Sequence, residues 1–130
     1  MAQPAALLIT FHAIEGMEGR LQRLIVPFAH DVVSQPGCVQ AMVERAAEDR
    51  LHLLLYMRWE STDEMFRYVN TPPFIYFMQA AAKLTGNKMG VVPSFILANY
   101  ESIPSLVEEL EQDIVSEERP RKRRRDEQEE

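Results

Sequence analysis

The stretch from Leu51 to Met78 constrains the fold more than any other part of the chain, because it predicts a strand and two helices in quick succession. Residues 51–59 are too short and too continuously apolar for a free-standing amphipathic helix, so they predict a buried strand. Ser61 and Glu64 then have the spacing of a capping box, which marks the start of a helix. The run Thr71-Pro72-Pro73 must end that helix, since proline removes backbone donors and pushes the preceding residue out of the helical region.

A second helix is expected to begin directly after this break. Thr71 can serve as its N-cap, with Pro72 in the first position, where the missing N–H of proline has no helical partner to lose. Gly86 is placed to end the helix. The apolar residues between these two ends recur at helical spacing and form one stripe, made of Phe74, Phe77, Met78, Ala81 and Leu84.

The remaining elements complete the order strand, helix, strand, strand, helix, strand. Residues 5–14 predict a first strand with two apolar faces, and residues 17–32 predict an amphipathic helix that Pro27 should kink or split. Residues 38–45 and 91–100 predict the second and fourth strands. This order is that of the ferredoxin-like split βαβ unit, an α+β fold with a four-stranded antiparallel sheet and helices on one face. We expect a second copy of the chain to cover the other face in a homodimer.

The C-terminal part of the chain differs in composition from the rest. Ser105 and Glu108 form another capping box, and residues 105–118 predict an extra helix that belongs to a domain spanning residues 1–118. Residues 119–130 have no apolar side chain and predict a disordered, charged tail. The tail carries six basic and four acidic residues, which leaves a net charge of −8 on residues 1–118. An acidic body argues against nucleic acid as a main partner.

Composition also bears on the compartment. The single cysteine, Cys38, allows no internal disulfide and fits a reducing environment. No apolar run approaches the roughly 20 residues that a membrane-spanning helix needs. The N-terminal residues lack the charged region of a signal peptide. We therefore expect a cytoplasmic protein without a membrane segment.

Motifs for the common cofactors are missing from the sequence. It contains neither a glycine-rich nucleotide-binding pattern nor a phosphate-binding loop, so a flavin, nicotinamide or ATP site is not expected. The three histidines, His12, His30 and His52, are far apart along the chain, and none has a second ligand at metal-binding spacing. We therefore predict no metal site and no cofactor.

Four short motifs resemble the antibiotic biosynthesis monooxygenase family. Two are turns that flank the first helix, Ile14-Glu15-Gly16 and Pro36-Gly37-Cys38. The third is Trp59-Glu60-Ser61 at the end of the third strand, and the fourth is the Thr71-Pro72-Pro73 break followed by Phe74. The resemblance extends over about residues 5 to 100. It implies a dimeric α+β barrel.

The resemblance also implies an activity, the oxidation of a small polyphenolic substrate by dioxygen without flavin or metal. Such a reaction is physically reasonable, because an electron-rich phenolate can donate an electron to oxygen while the protein deprotonates, orients and buries it. The pocket would lie between the sheet and the helices, with Trp59 as a flat wall. Its other apolar lining residues would be Phe28, Met65, Phe74, Phe77 and Met78.

Polar candidates for the reaction are few. His12 interrupts the first apolar strand, and a buried histidine there could move protons. Tyr68 stands where many relatives carry a histidine, and its hydroxyl could hydrogen-bond a phenolate, with Asn70 close by. All these residues can also be read as ordinary core or interface packing. In that case the chain would be a non-catalytic dimeric binding or scaffold domain that has lost the family's histidines, since Pro73 occupies the second histidine position.

Overall fold

The described part of the chain, residues 3–100 of the computed structural model, contains four strands and three helices in the predicted order. In sequence these are β1 (Ala5–His12), α1 (Glu18–Val32), β2 (Cys38–Arg45), β3 (His52–Trp59), α2 (Thr62–Val69), α3 (Pro72–Thr85) and β4 (Met89–Phe95). The predicted helix over residues 105–118 and the predicted tail over residues 119–130 lie outside the described residues. None of the helices within residues 3–100 is long and apolar enough to cross a membrane.

The sheet is antiparallel, with the strand order β2-β3-β1-β4, which confirms the ferredoxin-like topology. The first strand is central and pairs with both β3 and β4. The fourth strand lies at an edge and contains Pro93, opposite Leu7. An edge strand tolerates proline because one of its sides has no ladder to complete.

The helices cover one face of the sheet. Side chains alternate across a strand, and every second residue of β1 and β3 is buried on this face. These residues are Ala5, Leu7, Ile9 and Phe11 on β1, and Leu53, Leu55, Met57 and Trp59 on β3. The helix α1 supplies Leu21, Ile25 and Val32 to the same core. The intervening strand residues lie on the opposite face, which we call the open face, and there Leu8, Leu54 and Tyr56 are half-buried.

Two of the three local signals predicted at the helix ends, those of Ser61 and Gly86, operate as the sequence predicts. The Ser61 side chain accepts a hydrogen bond of 3.1 Å from the backbone N–H of Glu64, as in a capping box. Thr71 occupies the N-cap of α3, but its hydroxyl donates to the Tyr68 carbonyl at 2.6 Å instead of capping α3. Gly86 ends α3 with a left-handed φ of 59°.

Pro27 was predicted to kink or split the first helix, and of these two outcomes the split is wrong. The helix α1 runs from Glu18 to Val32 with Pro27 inside it. Pro27 is exposed. On an exposed side, the carbonyl that loses its partner to proline can bond with water, which makes the interruption tolerable.

The turn before β2 is packed tightly against the start of α2. Gly37 has a φ of 84°, which favours glycine, and its carbonyl accepts a 2.8 Å hydrogen bond from the Glu60 N–H. A Cβ atom at this position would lie 2.7 Å from the Cβ of Glu64. This close approach fixes α2, and with it Tyr68, relative to the end of β3.

Candidate functional site

Five aromatic side chains meet between the sheet and the helices, and we call them the aromatic cluster. They come from four different elements, β3 and the three helices. The members are Phe28 of α1, Trp59 of β3, Tyr68 of α2, and Phe74 and Phe77 of α3. Four of them are buried, and Phe28 is partly buried against the core. These are the apolar and aromatic residues that the sequence places around a substrate pocket.

The rings of the aromatic cluster contact one another closely. Phe28 and Phe77 stack with centroids 3.8 Å apart and planes 8° from parallel. Tyr68 lies between Trp59, at 5.4 Å, and Phe74, at 5.8 Å in an edge-to-face arrangement. The two distances from Tyr68 are typical of favourable aromatic pairs. The cluster is therefore a continuous aromatic wall with two polar groups, the indole N–H and the phenol hydroxyl.

The indole nitrogen of Trp59 is buried without a hydrogen-bond partner among the described residues. Trp59 is only 1% exposed, so water does not reach it freely. Buried polar groups are nearly always paired, and an orphaned donor costs about 1–3 kcal/mol. An oxygen atom of a bound molecule would supply the missing acceptor.

The phenol of Tyr68 is held in its neutral form. Burial raises the pKa of Tyr68 to about 12, and the negative charges of Cys38 and Asp31 when ionised act in the same direction. Near neutral pH the hydroxyl is therefore a hydrogen-bond donor and not a base. Trp59 and Tyr68 together present two donors and no negative charge.

A small hollow opens beside Tyr68. It has a volume of about 90 Å³, and its other lining residues are Gln35, Pro36, Glu64, Arg67 and Thr71. Pockets for drug-sized molecules occupy roughly 300–1,000 Å³. In this conformation the hollow admits a molecule the size of dioxygen or water, and a polyphenol would require the surrounding side chains to move apart.

The three other predicted lining residues differ in their placement. Met65 is 1% exposed within the core, and Met78 is partly buried against the core. Asn70 is exposed, and its side-chain amide donates to the Phe66 carbonyl at 2.7 Å. The expectation that Asn70 faces the pocket is wrong, because its side chain completes the end of α2 instead.

His12 is not buried, and in this respect the sequence-based expectation is also wrong. It is the last residue of β1 and lies on the open face, whereas its neighbours Phe11 and Ala13 point into the core. Alternation of side chains along the strand separates it from Tyr68, which lies on the helix side. Within one chain, His12 and Tyr68 therefore do not share a pocket, and a catalytic role for His12 stays a prediction.

The structure instead brings His12 to two residues that sequence reasoning did not connect with it. His12 and His52 are opposite each other in the β1–β3 ladder, and their rings stack with centroids 4.1 Å apart. A carboxylate oxygen of Asp49, from the β2–β3 loop, and one nitrogen of each histidine all lie within 4.8 Å of one another. Spacing along the chain could not reveal this group. Only the register of the two strands could have predicted it.

Comparison with known proteins bears on both the fold and the family. The model of the antibiotic biosynthesis monooxygenase family matches residues 4–80, which is more than half of the chain. No curated protein matches.

Several solved structures share the fold. SnoaB from Streptomyces nogalater, a cofactor-independent oxygenase, has a TM-score of 0.65 at 16% identity, covering 79% of this chain and 99% of that one. A candidate antibiotic biosynthesis monooxygenase from Deinococcus radiodurans has a TM-score of 0.69 at 16% identity, covering 76% and 98%. A protein from Pseudomonas aeruginosa has a TM-score of 0.66 at 21% identity, covering 75% and 98%. At these identities the likeness concerns the fold.

Proposed function

Because the chain belongs to the antibiotic biosynthesis monooxygenase family, we propose that it is a cofactor-independent monooxygenase that oxidises a small aromatic, polyketide-like polyphenol with dioxygen. The matched residues include every member of the aromatic cluster. The observation that carries the proposal is the orphaned indole N–H of Trp59, which lies beside the neutral phenol of Tyr68. A substrate oxygen would supply the acceptor that the indole N–H lacks among the described residues, and it could also accept from the Tyr68 hydroxyl.

The reaction needs no electrons from outside. In an anthrone-like substrate, a solvent base takes a proton from the CH₂ group next to the aromatic rings and returns it later to the peroxide. The delocalised carbanion that remains transfers an electron to dioxygen. Recombination forms a C–O bond, and cleavage of the resulting peroxide leaves a C=O group on the substrate and releases water. One oxygen atom enters the product and the other leaves in water, and the substrate supplies all the electrons that reduce dioxygen.

The residues of the cluster would stabilise the negative charge that develops on the substrate during this reaction. The Tyr68 hydroxyl and the Trp59 N–H would donate to the substrate oxygen on which the carbanion's charge is delocalised. Donors that are already oriented in a site without bulk water stabilise such charge strongly, by about 2.7–4 kcal/mol for one donor in a well-studied case. Phe28, Phe74 and Phe77 would hold the aromatic substrate by stacking and exclude water from the carbanion.

The open face of the sheet supports a homodimer as the working form. Its exposed or half-buried apolar residues are Leu8, Met42, Leu54, Tyr56 and Val92. A contiguous apolar face of this kind marks an interaction surface, and a second copy is the partner that the family implies. We further propose that the protein acts in the cytoplasm, in keeping with its single cysteine.

The proposal is tested by oxygen consumption with the purified full-length protein, freed of metal by chelation and supplied with an anthrone-like polyphenol. Tyr68→Phe and Trp59→Phe each remove one donor while keeping an aromatic ring. Each should lower turnover by at least about tenfold. Tyr76→Phe is the matched control, because Tyr76 is 67% exposed on α3 and should keep the activity of the parent.

Stability and substrate binding must be measured on the same samples. Circular dichroism melting separates loss of a donor from loss of the fold. Activity equal to the parent in both folded cluster variants would overturn the assigned roles of Trp59 and Tyr68. If no aromatic compound binds at all, the proposed activity is wrong and the non-catalytic scaffold alternative is favoured.

A further inference from the structure

A second polar group lies at one end of the open face, where β1 ends and β3 begins, beyond the apolar residues proposed to pair the two copies and away from the aromatic cluster. It consists of His12 at the end of β1, His52 at the start of β3, and Asp49 in the loop before β3. We propose that these three side chains bind a divalent first-row transition-metal ion such as Zn²⁺. This site is independent of the proposed oxidation, because its residues lie on the other side of the sheet.

The strand register brings the two histidines together. The backbone N–H of His12 donates to the Lys88 carbonyl, and the backbone N–H of His52 donates to the Asp49 carbonyl. The two histidines face each other in the ladder but therefore do not exchange backbone hydrogen bonds. In such a non-hydrogen-bonded antiparallel pair the side chains are at their closest. The rings stack at 4.1 Å with planes inclined by 20°.

The loop positions the carboxylate of Asp49. Its Oδ1 accepts a 3.0 Å hydrogen bond from the Leu51 N–H, and its backbone carbonyl accepts a 3.0 Å bond from the His52 N–H. The Ala46 N–H donates in turn to the His52 carbonyl at 2.9 Å. The loop is therefore closed by its own backbone, and Asp49 retains a second carboxylate oxygen for a ligand.

An unpaired nitrogen points independently to a missing ligand. The Nε2 atom of His52 is buried and has no hydrogen-bond partner among the described residues. Buried polar atoms are nearly always satisfied, and imidazole nitrogen is the commonest metal ligand in proteins. A metal ion bound at this atom would satisfy it.

The donor set selects the class of ion. Two imidazole nitrogens and one carboxylate suit Zn²⁺, Fe²⁺, Co²⁺, Ni²⁺ or Cu²⁺, whereas Mg²⁺ and Ca²⁺ prefer oxygen ligands. Metal–ligand bonds of about 2.0–2.2 Å require the three ligand atoms to lie closer together than they do now, when they are up to 4.8 Å from one another. The exposed side chains of His12 and Asp49 can rotate to achieve this. Nearby Arg50 is already paired with Glu15 at 3.1 Å and with Glu18 at 3.5 Å, which reduces its repulsion of a cation.

The test is calorimetric titration of the metal-free, full-length protein with Zn²⁺, and with Mg²⁺ as the comparison ion. We expect one zinc ion per chain and no measurable heat from Mg²⁺ binding. His12→Ala, His52→Ala and Asp49→Asn should each weaken zinc binding by at least about tenfold. His30→Ala is the matched control, because His30 also lies beside an aspartate, with its ring nitrogen 3.6 Å from the Asp31 carboxylate, but is exposed on α1 and has no second histidine.

Two further measurements make the result decisive. The absorption spectrum of bound Co²⁺ reports nitrogen and oxygen ligands directly and should change in the Asp49→Asn protein. Asp49 is exposed, so this variant is informative even if His52→Ala fails to fold. Absence of zinc binding, or equal binding by the parent and the three ligand variants, would overturn the proposal, as would an equal loss in His30→Ala.

Discussion

The indole ring of Trp59 lies 5.4 Å from the phenol ring of Tyr68, with the two planes inclined by 33°. Trp59 is the last residue of β3, and Tyr68 lies in the last turn of α2. The short Ser61-capped turn between these elements folds α2 back over the strand that precedes it. Two rings that each carry a hydrogen-bond donor thereby pack together in a buried aromatic environment.

The raised pKa of Tyr68 predicts a specific loss of stability at alkaline pH. The folded-state pKa of about 12 exceeds the unfolded value near 10, so the folded protein holds the phenol proton more tightly. The contribution of this group to stability is complete below pH 10 and is lost as the pH rises towards 12. Between pH 10 and pH 12, the free energy of unfolding of the parent should therefore fall relative to that of Tyr68→Phe. Chemical unfolding of both proteins at several pH values measures this difference. Parallel curves would contradict the assigned burial of the hydroxyl.

Replacing Gly37 by alanine should destabilise the protein more than the same change at Gly16. Both glycines have positive φ values, 84° at Gly37 and 92° at Gly16, so alanine is strained at each by about 1–2 kcal/mol. Only at Gly37 would the new methyl group also meet Glu64, at 2.7 Å, whereas nothing lies within 4 Å at Gly16. Urea unfolding of the two variants isolates this steric cost. Equal losses would mean that α2 moves away freely.

Removing the Ser61 hydroxyl should weaken the start of α2. The cap bond to the Glu64 N–H is 3.1 Å long, and Ser61→Ala should cost about 1 kcal/mol. For a chain of 130 residues, that lowers the melting temperature by roughly 4 °C. Ser61→Asp keeps a capping oxygen and should restore most of the loss. Failure of the aspartate to restore stability would show that the hydroxyl acts other than as a cap.

The open face predicts self-association. The parent should sediment at about twice its chain mass of 15.0 kDa, and Leu54→Lys should shift it towards the monomer. Leu54 is half-buried on the open face opposite Thr10, and a charge there would be desolvated in the dimer. Val26→Lys is the control, because Val26 is 47% exposed on α1. A monomeric parent at micromolar concentration would refute the dimer.

Much of the fold followed from signals between near neighbours in sequence. The Ser61 capping box, the Thr71-Pro72-Pro73 break and the Gly86 stop each depend on residues within about four positions, so the helix boundaries could be predicted closely. The sequence likewise predicted β2 at its observed bounds, Cys38–Arg45. The fourth strand was placed less well, at residues 91–100 instead of Met89–Phe95, because the apolar residues continue past its end through Ile96 and Leu97 and do not mark where pairing stops.

The site depended on information that no local pattern contains. The sequence identified the aromatic residues that meet between the sheet and the helices, since each carries a helical or strand period. It did not predict that His12 faces away from Tyr68, because a strand with two apolar faces does not say which one the helices cover. Nor could it predict the pairing of His12 with His52 and Asp49, which depends on strand register across about 40 residues. Helix ends and turns depend on residues that are close together in the sequence, so the sequence determines them directly. The covered face of a strand and the register between two strands are decided only when distant segments pack together.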